Sequence, residues 1–124
     1  MIEIAAYTYV ALAALTVLFQ LALACGAPWG ALALGGRWQG RFPPLVRVFA
    51  IVQAGVIAAM ALVVASRAGI TGQPFGPGWL FWLVVLLTAA SMVANLTTPS
   101  RAERWLWAPV TAAMLLAAGI VAFA

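Results

Sequence analysis

The chain has no histidine, no lysine and no aspartate, and its only acidic side chains are Glu3 and Glu103. General acid–base work most often recruits histidine or aspartate, so these absences argue against an enzyme. An enzymatic reading would have to rest on Glu103 and Cys25. No residues have metal-ligand spacing, and neither a phosphate-binding loop nor a dinucleotide fingerprint occurs. No cofactor is expected. Cys25 is the single cysteine, so no internal disulfide forms, and it reads as a small apolar packing residue. Charge is scarce altogether: 6% of residues are charged against 67% hydrophobic, a balance foreign to soluble domains.

The hydrophobic residues fall in four runs long enough to cross a bilayer, which takes about 20 helical residues. The runs cover 4–27, 45–66, 79–95 and 101–124. Gly26, Pro28 and Gly30 stop the first. Pro43-Pro44 opens the second and Ala68-Gly69 closes it. Gly72, Pro74, Gly76, Pro77 and Gly78 precede the third. Ser100-Arg101-Ala102-Glu103 opens the fourth as a capping box, so the plain role of Glu103 is a helix cap. Pro109 removes a donor inside that helix and should bend it. The short alternating segments of a barrel are absent. The first run lacks a basic leader and is too long for a signal peptide, so it reads as a retained span.

The arginines are sorted. Arg37, Arg41 and Arg47 mark the first connection and Arg101 and Arg104 the third, while the second holds only Arg67. By the positive-inside rule, the 28–44 and 96–100 connections are cytoplasmic and both termini face outside. This bias disfavours small exporters that insert in both orientations, whose mid-span glutamate is also missing. The arginines are scattered at helix ends, as expected for contacts with membrane lipids and not with nucleic acid. Trp29, Trp38, Trp105 and Trp107 read as anchors at the inner interface, and Trp79 and Trp82 at the outer.

Within the spans, neutral polar residues share one depth. Gln20 and Gln53 each lie roughly 10 Å from the inner end at 1.5 Å per residue. Ser91 and Asn95 occupy the inner half of the third span, and Thr111 lies within the fourth. Facing lipid would be costly for an amide, so these side chains should face inward. Two readings follow: hydrogen bonds gluing the helices together, or the lining of a polar cavity open to the cytoplasm. Ala50, Ala54 and Ala58, and Ala113 and Ala117, form small-residue stripes that suit packing within the bundle, in a homo-oligomer or on a larger membrane partner.

The connection from Gly26 to Pro44 is long for a link between neighbouring helices, rich in glycine and half apolar. Its glycines let backbone N–H groups approach a ligand, and Arg37 and Arg41 suit an anionic headgroup or small anion, with Trp29 beside them. The plain alternative is an interfacial loop with snorkelling arginines. Across the turn, Arg37 or Arg41 should reach Glu103 or the carbonyls near Asn95, tying the connection over the cavity as a lid.

The run Gly26-x-Pro28-x-Gly30, Gly35-Gly36, Gly40-Arg41-x-Pro43 resembles a pattern of small four-span bacterial membrane proteins of uncharacterised function. The Asn95…Ser100…Glu103-Arg104…Trp107-x-Pro109 stretch is similar too. The resemblance implies a bacterial inner membrane and a four-helix fold, and brings no activity.

The sequence thus predicts an all-α, four-helix transmembrane bundle with a long glycine-rich cytoplasmic connection between helices 1 and 2. The expected function is non-enzymatic binding or transport of a lipid-like or small anionic or polar ligand by Gln20, Gln53, Ser91, Asn95, Arg37, Arg41, Trp29 and Glu103. The alternative is a structural or accessory subunit. Cysteines introduced at the termini should be labelled only from outside, and one in the 96–100 turn only from the cytoplasm. Labelling of the termini only from the cytoplasm would refute this orientation.

Overall fold

A computed structural model describes residues 1–124. It contains α1 (Ile2–Ala24), two short 3₁₀ turns (Gly30–Leu32 and Leu34–Gly36), α2 (Pro44–Arg67), α3 (Trp79–Thr97) and α4 (Arg101–Phe123). All four α-helices are long and apolar enough to cross a membrane, and the chain is an integral membrane protein built as a four-helix bundle.

The helix ends follow from local chemistry. Gly26 adopts φ +98°, its N–H bonds the Leu23 carbonyl, and the Ala27 N–H bonds that of Ala22. Gly69 closes α2 in the same way, with its N–H on Ser66 and that of Ile70 on Ala65. This double bond around a left-handed glycine satisfies carbonyls that a helix end would leave bare. Pro44 opens α2 where a missing N–H costs nothing.

α1 packs on α2 and α4, and α4 packs on α3, while α2 and α3 touch sparsely. The order around the bundle is therefore α2, α1, α4, α3, with an open seam between its ends. The half bearing the chain termini is solid. Ala5, Ala6, Tyr9 and Ala13 of α1 meet Met60, Val63 and Val64 of α2, Phe81 and Val84 of α3, and Met114, Ala117, Ala118 and Val121 of α4. Outside the core, the Arg67 guanidinium lies 4.6 Å from the Phe81 ring centroid and ties α2 to α3 at this end. Of the alanine stripes, Ala50, Ala54 and Ala117 are buried inside the bundle, whereas Ala58 is exposed.

One polar bond crosses this apolar half. The Tyr9 hydroxyl lies 2.7 Å from Thr88 Oγ1, and Thr88 gives its own hydrogen to the Val84 carbonyl at 2.8 Å. Tyr9 is therefore the donor, and no polar atom here is left without a partner. In a double-mutant cycle, Tyr9→Phe and Thr88→Val should couple by about 0.6–1 kcal/mol, read by unfolding in mixed micelles. Zero coupling would show that this bond does not fasten α1 to α3.

Candidate functional site

The other half of the bundle is hollow. A cavity of about 580 Å³ lies among the four helices, with Met60, Thr88 and Met114 at its floor. Gln20, Gln53, Ser91, Asn95 and Glu103 all line it, with Thr16, Phe19, Trp107 and Thr111. The polar residues that the sequence places at one depth thus surround one space. Arg37, Arg41 and Trp29 do not line it. Arg37 is exposed and stacks on Trp38, 4.9 Å from the ring centroid. Arg41 and Trp29 are exposed, and Trp29 stacks on Phe19.

The glue reading fits only part of this set. Asn95 Nδ2 reaches Thr111 Oγ1 at 3.5 Å, the long limit of a hydrogen bond. Gln20, Gln53 and Ser91 have no hydrogen-bond partner within the chain, although the first two are half-buried. Every fully buried side-chain polar atom has a partner, so the free Gln20 and Gln53 amide atoms are not sealed in protein, and Ser91 is exposed; all three residues line the cavity. Val56, Leu87, Ser91 and Ala94 line the cavity and are exposed, so its mouth opens sideways through the α2–α3 seam.

Leu32, Ala33, Leu34 and Gly35 cross the end of the bundle as a strap. The strap is closed on itself by the Gly30 N–H on the Gly40 carbonyl at 2.8 Å. Its apolar side, Ala33 and Phe42 with Trp38, packs on Leu23 and Ala50. Its polar side is fastened to α4. Ser100 Oγ donates to the Ala31 carbonyl at 2.6 Å, Trp107 Nε1 donates to that of Leu32 at 2.9 Å, and the Gly35 N–H donates to Glu103 Oε2 at 3.0 Å. Residues 34, 35 and 36 have φ of +50°, +71° and +72°. Glycine adopts this region freely, whereas at Leu34 it is strained.

Three expectations change here. The tie to Glu103 comes from a backbone N–H, not from Arg37 or Arg41. The reason is geometric: the left-handed turn brings the Gly35 N–H to the carboxylate, while both arginines are exposed. The capping box is also only half formed. Ser100 Oγ accepts the Glu103 N–H at 3.2 Å, but the Ser100 N–H turns to Thr98 Oγ1 and the carboxylate turns to the strap. Trp107, read from the sequence as an interfacial anchor, is buried, and its indole is spent on the strap. The signal was present as Ser100, Glu103 and Trp107 at three- and four-residue spacing, one face of a helix. Arg47 has a local task, its Nε donating to the Phe42 carbonyl at 2.8 Å at the foot of α2.

Protein-family models, curated proteins and solved structures give no match to this chain.

Glu103→Ala leaves the Gly35 N–H without its acceptor, at a cost of about 1–3 kcal/mol. Trypsin should then cut after Arg37 or Arg41 several times faster in the solubilised protein, and Glu103→Gln, which keeps an acceptor, should lie much nearer wild type. An unchanged rate in a folded Glu103→Ala protein would show that Glu103 does not hold the strap. Gly30 should tolerate no side chain, because a Cβ there would fall 1.8 Å from the Trp38 carbonyl oxygen. Gly30→Ala should raise the same cleavage rate, and wild-type protection in that variant would refute the closed strap.

Proposed function

We propose that this membrane protein is a non-enzymatic binder of amphiphiles, holding a polar head in the cavity while the tail leaves through the α2–α3 seam. One observation carries the reading: the amides of Gln20 and Gln53 and the hydroxyl of Ser91 face a cavity without partners of their own. Polar groups at this depth are costly unless water or a ligand satisfies them. The volume, about 580 Å³, is within the range of small-molecule sites. Exposed Leu86, Val93 and Leu96 on α3 and Ile51 and Val52 on α2 suit hydrocarbon beside the mouth.

The sorted arginines support a strap end facing the cytoplasm. The likeness of the glycine–proline pattern to small four-span bacterial proteins supports a bacterial inner membrane. Because Arg37 and Arg41 are exposed and away from the cavity lining, their natural partners are lipid phosphates at the surface. A second reading, an accessory subunit, is favoured by a shallow apolar groove on α4. Ala112 and Gly119 lie there between Leu115, Leu116, Ile120 and Phe123, a shape that admits another helix.

Ser91→Trp tests the first reading, because Ser91 is exposed at the mouth. Native mass spectrometry should show wild type retaining an added dodecyl amphiphile and the variant losing about tenfold in affinity. Equal retention by a folded variant would overturn the cavity as the binding site.

A further inference from the structure

The cavity has a sign. Glu103 is the one charged side chain in its lining, and none of the six arginines reaches it. Glu103 is only 6% exposed. Oε2 is taken by the Gly35 N–H, whereas Oε1 has no partner in the chain and is not sealed from solvent-sized space. The third position of α4 suits a negative charge, because the free N–H groups of the first turn and the helix dipole converge there.

Several neutral lining groups can offer acceptors as well. Thr16 gives its hydrogen to the Leu12 carbonyl at 2.9 Å, so its oxygen has only lone pairs to offer. Thr111 gives its own to the Trp107 carbonyl at 2.8 Å and therefore accepts from Asn95 Nδ2. Asn95 is left with its carbonyl oxygen and its second Nδ2 hydrogen free. Glu103, Thr16 and Asn95 thus bring acceptor oxygens to the lining, and Gln20 and Gln53 can turn two more carbonyl oxygens toward a cationic head, while the amide hydrogens of Asn95, Gln20 and Gln53 and the Ser91 hydroxyl remain as donors. A protonated primary amine has three N–H donors and one positive charge, which answers both features. An anionic head would bring charge of the wrong sign to Glu103 and too few donors.

We infer that the cavity selects an amphiphile with a primary ammonium head, and that Glu103 is its counter-ion. The inference rests on the amphiphile-binding reading and narrows it. The arginines of the same end do not oppose it: Arg37, Arg41, Arg101 and Arg104 are exposed, and Arg47 is held on the Phe42 carbonyl outside the cavity lining.

The test uses three probes of one chain length: dodecylamine, dodecanol and dodecanoate. Each is titrated near pH 7 against wild type and Glu103→Gln in a neutral detergent, with retained ligand read by native mass spectrometry. Glutamine keeps an acceptor for the Gly35 N–H, and unchanged helical circular dichroism with strap protection from trypsin certifies the fold. Wild type should bind dodecylamine at least about tenfold more tightly than dodecanol and dodecanoate. Glu103→Gln should lose that advantage, its affinity ratio of amine to alcohol falling toward one. Equal binding of amine and alcohol by wild type, a preference for the carboxylate, or an amine advantage that survives in Glu103→Gln would each overturn the charge selection and leave the cavity reading standing. If wild type retains none of the three, the cavity reading fails, and the charge selection with it.

Discussion

An irregular segment laid against a membrane bundle must find partners for its backbone groups, because hydrocarbon offers none. The strap meets that demand through α4. Ala31, Leu32 and Gly35 bond to Ser100, Trp107 and Glu103, three side chains on one face of one helix. The demand also explains the unusual local sequence. A left-handed run from Leu34 to Gly36 is needed to turn the Gly35 N–H toward the carboxylate, and glycine supplies two of its three residues. The strain at Leu34 persists because the strap is fixed on both sides, by α4 through polar bonds and by Leu23 and Ala50 through apolar packing.

With its end covered, the bundle divides into a filled half and a hollow half. In the filled half, alanines on α1 and α4 let helices approach, and Tyr9, Met114 and the larger side chains of α2 and α3 fill the space between them. Toward the strap the polar residues begin. Gln20 and Gln53 have no partners in the chain, so nothing draws α1 and α2 further into the space they face. The seam stays open for a related reason. Beyond the Met60–Phe81 region, α2 and α3 present Val56, Leu87 and Ala94 to the outside, and such side chains are as well served by lipid tails as by each other.

Much of this was legible in the residues. The spans were set by hydropathy, and their ends by Gly26, Pro44 and Gly69, each of which has one well-defined use at a helix terminus. The shared depth of Gln20, Gln53, Ser91 and Asn95 was legible because depth along a helix is arithmetic, and it left both interhelical glue and a cavity lining open. What depth does not supply is direction around the bundle. Nothing in the sequence says that α2 and α3 are the poorly closed pair, since that depends on packing of all four helices. Nor does proximity in sequence show which donor wins a carboxylate. Arg37 is two residues from Gly35 and carries full charge, yet the backbone N–H takes Glu103 because the turn aims it there.

That outcome separates the two signs of charge by task. An arginine has a long stem that can carry its charge away from an apolar body at small cost, and Arg37 and Arg41 are exposed. A glutamate has a short stem and cannot leave the face of α4 on which it sits. Once the strap covers it, Glu103 keeps its place only because the Gly35 N–H and the first turn of the helix stabilise it. No arginine thus lines the cavity, and Glu103 is the single charged side chain that does. The glycines, whose backbone can turn without carrying charge, make that separation possible.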